Sequence, residues 1–176
     1  SALRTLLDQR DDAPIIVFGR TKHGVKKLAK QLVDLGYPVA ALQGNLSQNA
    51  REKVMADFRS GAAPVLVATN VAARGLDIEG IAQVINYDLP DSLQLFTHRV
   101  GRTGRMGKSG EAITFVMPED EKKWREIERG FDTRFAIKRW GPKGPDDNTE
   151  PPRQAPSNGA RPQRQQRSWF GQRRAS

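Results

Sequence analysis

The chain contains no cysteine, which excludes disulfides and thiolate metal sites and fits a reducing, cytoplasmic setting. Two histidines, His23 and His98, are too few for a histidine-rich metal site, and no metal-binding set is expected. No apolar run approaches the ~18 residues of a membrane helix. The longest are strand-length pieces such as Ile15-Ile16-Val17-Phe18, so no membrane association is expected. Ser1-Ala2-Leu3-Arg4 leads straight into a mixed helical pattern without the apolar stretch of a secretory signal. From Gly141 onward Leu, Ile, Val and Met are also absent, and only Trp169 and Phe170 are strongly apolar. A segment so poor in apolar surface cannot offset the entropy of ordering itself. The expected organisation is one folded domain over residues 1–140 and a disordered Pro/Gly/Gln/Arg-rich tail over 141–176.

What is present is positive charge. The 176 residues carry a formal net charge of +9, which makes a polyanion the first partner to consider. Residues 1–140 hold 22 basic and 17 acidic side chains, and the much shorter segment 141–176 holds 7 and 3. The tail is therefore the more basic part per residue.

Within the domain, short apolar runs alternate with helical spacing. Ile15 to Phe18, Val39 to Leu42, Val65 to Ala68, Val84 to Tyr87 and Ile113 to Val116 read as strands. Between them, Val25, Leu28, Ala29, Leu32 and Leu35 recur at helical spacing up to Gly36, a plausible C-cap. Ser47 can cap a helix burying Ala50, Val54 and Phe58 before Gly61. Asp91 or Ser92 can cap one that runs towards Thr103. Pro118, followed by Glu119, Asp120 and Glu121, opens a helix that sets Trp124, Ile127 and Phe131 on one face. Strands alternating with helices predict an α/β domain with a mainly parallel sheet and helices on both faces. Ligands of such sheets bind beyond the carboxyl ends of the strands. That singles out Gly19 to Lys22, Gln43 to Ser47, Thr69 to Asp77 and the region after Pro90.

Two of these regions carry chemistry. In His98-Arg99-Val100-Gly101-Arg102-Thr103-Gly104-Arg105, one helical turn would aim Arg102 and Arg105 the same way. Two forked, permanently charged groups suit a phosphoryl group that gains charge in its transition state. A solvated basic helix end is the plainer reading, but glycines at 101 and 104 would be costly there. Gly107-Lys108-Ser109 imitates the end of a phosphate-binding P-loop. Arg102 stands where that pattern needs glycine, and the strand-to-helix order is reversed. Without a P-loop or a paired acidic magnesium site, no complete ATPase site is expected. In Thr69-Asn70-Val71-Ala72-Ala73-Arg74-Gly75-Leu76-Asp77, Thr69 and Asn70 can face a backbone phosphate or cap the next helical turn. Gly75 permits a bend that aims Asp77 elsewhere, for example at a ribose hydroxyl. An ordinary strand-to-helix turn would use the same residue types.

These two segments resemble motifs V and VI of DEAD-box RNA helicases, and Ile16 to Lys22 resembles motif IV. Gln43-Gly44-Asn45-Leu46-Ser47-Gln48, with Arg51 and Phe58-Arg59-Ser60-Gly61, resembles the family's intervening block, and the likeness runs from Leu3 to Phe131. His98-Arg99 points to the DEAD-box branch rather than to other helicases of the superfamily. The resemblance implies a three-layer RecA-like domain, the second half of an ATP-driven motor. It implies that Arg102 and Arg105 act as arginine fingers on the γ-phosphate and that Gly75 and Asp77 serve the ATP site. His98 would bridge to the acidic motif of a first RecA-like domain of the same protein, which would hold most of the ATP and Mg2+. Arg20, Thr21, Gly44, Asn45, Thr69 and Arg74 would grip RNA by its backbone, without reading sequence. Asn70 stands where the family usually has aspartate, and Asn45 where an acidic residue or glycine is common. The alternatives are half of a DNA helicase, or an ATP-independent nucleic-acid-binding module. The second leaves the Arg102/Arg105 pair unexplained.

The tail gives a first test. After Glu150 it holds six arginines and no acidic residue, with Trp169-Phe170 as a stacking pair for exposed bases. Deleting residues 141–176 is expected to weaken RNA binding for all sequences alike and to flatten its salt dependence. Titrations at several salt concentrations measure both, and unchanged affinity and slope would reduce the tail to a solubilising extension.

Overall fold

The computed structural model describes residues 1–10, 13–74, 81–104, 109–131, 135–141 and 144–150, the stretch 145–150 by its backbone alone. Five strands form one wholly parallel sheet: β1 (Ile15–Gly19), β2 (Val39–Leu42), β3 (Val65–Thr69), β4 (Gln83–Asn86) and β5 (Glu111–Thr114), in the order β2-β3-β1-β4-β5. Every residue of β1 and β3 is buried. Continuous apolar runs such as Ile15 to Phe18 reflect a sheet covered on both faces.

Side chains alternate across the sheet and build two cores. Ile16, Phe18, Leu66, Ala68 and Val84 face α3 (Gln48–Arg59) and α4 (Asn70–Ala73), where they meet Met55, Phe58, Ala72 and Ala73. Ile15, Val17, Val65, Val67 and Ile85 face α1 (Ala2–Asp8) and α2 (Lys22–Asp34), where they meet Leu3, Leu7, Val25, Leu28 and Leu32. Each fully buried Val, Leu, Ile, Phe or Met among them contributes about 1.5–3 kcal/mol. A third cluster joins α5 (Leu93–Val100) to α6 (Glu121–Gly130) through Leu89, Phe96, Trp124 and Ile127. The fold is RecA-like, an α/β domain with helices on both faces of a parallel sheet. Among the described residues no helix is long and apolar enough to cross a membrane.

Capping chemistry sets the helix ends. The hydroxyls of Thr21, Ser47, Thr69 and Ser92 accept backbone N–H groups of Gly24, Ala50, Ala72 and Leu95, opening α2, α3, α4 and α5. At the other end of α2, Gly36 takes φ +88°, and Gly36 and Tyr37 donate to the carbonyls of Val33 and Leu32. That paired arrangement uses glycine's freedom in the left-handed region to close the helix.

Several elements differ from the sequence expectation in extent. Met55, not Ala50, is the buried partner of Phe58 on α3. Pro118 opens a short 3-10 turn, Pro118–Asp120, ahead of α6. Helix α5 ends at Val100 instead of running towards Thr103, because Gly101 caps it and Gly104 follows at φ +67°. Arg102 stands beyond the helix, and the turn expected to join it to Arg105 runs outside the described residues, where Arg105 lies.

Beyond the sheet, β6 (Ile137–Gly141) pairs antiparallel with β7 (Gly144–Glu150). Residues 144–150 were assigned to the tail on composition, but backbone pairing needs no apolar side chain and composition is blind to it. The domain boundary is expected to follow the hairpin. Truncation after Glu150 should leave the melting temperature unchanged, whereas truncation after Trp140 removes β7 and should lower it; thermal unfolding of the two shortened chains checks this.

Candidate nucleic-acid and phosphate site

Sheet order decides which loops meet. Strands β2, β3 and β1 are neighbours, so the loops leaving their carboxyl ends converge although they lie far apart in sequence. Arg20 and Lys22 follow β1, Gly44 and Asn45 follow β2, and Thr69 and Val71 stand at the end of β3. Together they line an open cavity of about 410 Å³. Two of its walls are held by backbone contacts. Arg20 N donates to Asp88 Oδ2 at 2.7 Å, tying the β1 loop to the β4 loop. Arg51 Nη2 donates to the Ala72 carbonyl at 2.7 Å, tying α3 to α4.

A smaller cavity of about 80 Å³ adjoins it, lined by Phe18, Asn70, Val71, Ala73, Arg74, Leu95, His98, Arg99 and Arg102. Val71, 77% exposed, lines both and forms the ridge between them. The smaller space admits a few waters at ~30 Å³ each, or one phosphoryl group, and its charged walls are all cationic. No carboxylate is among the described residues lining either cavity. The donor set does not fit Mg2+, a hard cation that seeks oxygen ligands.

The smaller cavity is organised by Arg99, 2% exposed. Its Nε donates to Asn70 Oδ1 at 2.6 Å, and its Nη1 to Asn86 Oδ1 at 3.1 Å and to the Asp88 carbonyl at 2.7 Å. Its guanidinium lies 5.1 Å from the centroid of the Phe18 ring, at cation–π distance. Asn86 is itself fixed, donating to Thr114 Oγ1 at 3.0 Å. Burial pulls the Arg99 guanidinium down to about 10, against the pull of the Asp88 and Asp91 charges, which raises it. It stays charged at neutral pH. A long side chain on α5 thus gathers β1, α4 and the end of β4 around one cation.

Below α5, Thr103 Oγ1 donates to the carbonyls of Ile81 at 2.6 Å and Ala82 at 3.1 Å. A Cβ on Gly110 would fall 2.0 Å from Thr103 Oγ1 and 2.4 Å from Gly104 N, so only glycine lets the two ends of this loop close. Arg102 therefore projects from an anchored turn.

The residues singled out in sequence are distributed as follows. Arg20, Gly44, Asn45 and Thr69 share the larger cavity, while Arg74, His98 and Arg102 share the smaller. Thr21 lines neither; its hydroxyl caps α2. Thr69 lines the larger cavity and also caps α4. Asn70 is taken up by Arg99 and leaves the capping to Thr69. Gly75, Asp77 and Arg105 lie outside the described residues. Sequence reasoning gave no task to Arg99, Asn86, Arg51, Thr103 or Gly110. For Arg99 the signal was its place one residue after His98, which turns it to the inner side of the helix.

Comparison with known proteins agrees with this geometry. Residues 1–107 match the family model described as the helicase conserved C-terminal domain. The chain belongs to that family, as the C-terminal domain of a DEAD-box RNA helicase. Similar curated proteins are the ATP-dependent RNA helicase CshA of Limosilactobacillus reuteri, 47% identical over 70% of this chain and 25% of that protein, and FAL1 of Kluyveromyces lactis, 43% identical over 76% and 34%. The chain spans only a quarter to a third of their length. Among solved structures, the E. coli DEAD-box protein SrmB bound to the regulator RraA matches with TM-score 0.69 and 37% identity, over 73% of this chain and 76% of that one. S. cerevisiae Dbp5 bound to RNA and ADP BeF3 matches with TM-score 0.69 and 36% identity, over 74% and 35%.

Among the described residues every direct acceptor of the Arg99 cation is neutral, including Asn70 where the DEAD-box pattern usually has aspartate. Asn70→Asp should therefore stabilise this domain, by about 1 kcal/mol for exchanging a neutral hydrogen bond for a charge-assisted one. Arg99→Met should cost about 3 kcal/mol or more, since it strands buried acceptors on Asn86 and Asp88. Denaturant midpoints of the two variants measure both effects.

Proposed function

We propose that the domain is the second motor half of an ATP-dependent RNA helicase, gripping RNA in the larger cavity and the ATP γ-phosphate at the smaller one. The observation that carries this reading is the pair of adjoining cavities on the strand tips, one built from three loops of the sheet and the other ringed by Arg74, His98, Arg99 and Arg102. Arg20, Gly44, Asn45 and Thr69, with Thr21 on the edge, offer charge, amide, hydroxyl and bare backbone to phosphates and 2′-hydroxyls. Such contacts hold a strand without reading its bases. Arg74 stands on the nucleotide side of the Val71 ridge, from where it answers to both ligands.

Arg102, which lines the smaller cavity, and Arg105 act as arginine fingers. A guanidinium placed there meets charge that develops on the transferring phosphoryl group, and its fixed fork needs no reorganisation at the moment of reaction. Gly75 and Asp77 complete the nucleotide side at the ribose. His98, exposed on α5 beside the buried Arg99, reaches across to the acidic motif of the first RecA-like domain and couples nucleotide state to RNA grip. Among the described residues lining the two cavities there is no carboxylate, which supports assigning Mg2+ and most of the nucleotide to that first domain.

Two outcomes are expected. The chain alone should show no steady ATP hydrolysis, and RNA-stimulated turnover should appear once it is combined with a DEAD-box first domain. In that assembly, Arg102→Ala or Arg105→Ala should lower turnover by about 10³–10⁵-fold, as for fingers in other nucleotide hydrolases. Lysine should rescue poorly for want of the bidentate fork, and nucleotide-free RNA affinity should change little. Weakened nucleotide-free RNA binding with near-normal turnover at saturating RNA would instead make both arginines plain phosphate ligands and overturn the finger assignment.

A further inference from the structure

One strongly charged surface is not used by the site as described. Helix α2 carries Lys22, His23, Lys26, Lys27 and Lys30 on its exposed side, and its only acidic residue is Asp34, near its end. Lys22, Lys26 and Lys30 follow one another at i, i+4 and i+8, a row on one face. A solvated helix face ordinarily interleaves both signs at that spacing. Here Lys30 pairs with Asp34 at 2.7 Å, and among the described residues Lys22, Lys26 and Lys27 form no ion pair. The first turn holds no acidic residue either, so its lysine opposes the helix dipole. This arrangement works against the helix in isolation and suits an anion lying along it.

The row begins inside the larger cavity, since Lys22 lines it together with Arg20. From there eight residues of helix advance about 12 Å at 1.5 Å each. The row is long enough to meet more than one backbone phosphate, even though those of a single strand lie farther apart than the ~3.4 Å axial rise per phosphate of a duplex. The surface carries no Phe, Tyr or Trp, its one ring being the His23 imidazole at the first turn. Its chemistry therefore fits backbone phosphates and not bases.

We infer that the lysine face of α2 is an RNA-backbone surface that continues the cavity, so the footprint of this domain extends beyond the residues at the strand tips. The inference rests on the larger cavity holding RNA. It makes binding depend on RNA length: a strand filling only the cavity gains nothing from Lys26 and Lys27, whereas one that runs on along α2 does.

The test uses the full chain and two fluorescent single-stranded RNAs, a pentanucleotide and one four times as long, titrated at several salt concentrations. Lys26→Gln combined with Lys27→Gln is expected to weaken the longer RNA about tenfold and to reduce its salt slope by about 1.4, the value for two single-strand phosphate contacts. The pentanucleotide should bind as before, and the double exchange to arginine should restore the longer RNA. Both side chains are exposed, so melting should not move. Unchanged affinity and slope for the longer RNA, or equal weakening of both RNAs, would overturn the inference. Arg20→Ala tests the cavity separately. If it leaves both RNAs unaffected while the lysine exchange still weakens the longer one, the cavity assignment falls and the helix surface stands.

Discussion

A single buried cation holds the working end of this domain together. Arg99 reaches from α5 over the Phe18 ring and donates to Asn70, Asn86 and the Asp88 carbonyl. Those four residues belong to β1, α4, the last position of β4 and the loop beyond it. Taking a guanidinium out of water is costly, and the cost is tolerable only while all of these acceptors are in place together. The cation thereby makes the positions of α4 and α5 interdependent. Because Val71 of α4 lines the larger cavity and α5 carries His98 on the smaller, the two cavities share one structural support.

The same interaction explains the division of labour between neighbouring residues. On α5, Phe96 and Arg99 turn inward while His98 remains exposed. A helix cannot aim adjacent side chains in one direction. The arginine that anchors the helix and the histidine that faces outward are two consequences of one helical geometry. In the β3–α4 turn, Thr69 caps the helix, Asn70 binds Arg99 and Val71 stands out as the ridge between the cavities. Three consecutive residues serve three directions because the chain changes there from strand to helix.

Charge is also distributed by position. The cations ringing the smaller cavity come from the residue that ends α4, from α5 and from the turn after it, and the lysine row of α2 leads away from the larger one. Acidic residues at this end serve internal ties instead: Asp88 receives the Arg20 amide, and Asp91 pairs with Lys123 at 2.9 Å. That lysine holds the Asp91 carboxyl below its usual range. The surface left for a ligand is thus positive beyond what the net charge alone implies.

By itself the sequence determined the class of fold and which loops at the strand ends gather polar and basic residues. Apolar runs of strand length alternating with helical spacing leave few arrangements other than a parallel sheet covered on both faces, and all five strands lie within two residues of their expected places. The segments around Thr69 and His98 stood out because arginine, glycine and threonine gather there, yet several of them prove to have structural tasks: Thr69 caps α4, Arg99 anchors α5 and Thr103 ties its loop to Ile81 and Ala82. Strand order was not legible, since it depends on how crossovers pack and not on any local pattern. Only the order β2-β3-β1-β4-β5 brings Arg20, Gly44, Asn45 and Thr69 to one cavity and sends Arg74 to the other. The end of α5 at Val100 and the strand β7 escaped for a related reason: helix termination and backbone pairing depend on hydrogen bonds that side-chain composition does not record. Tertiary structure alone decided that Arg99 is a buried anchor and not a surface charge, because its acceptors come from segments up to 29 residues away and meet only once the sheet is assembled.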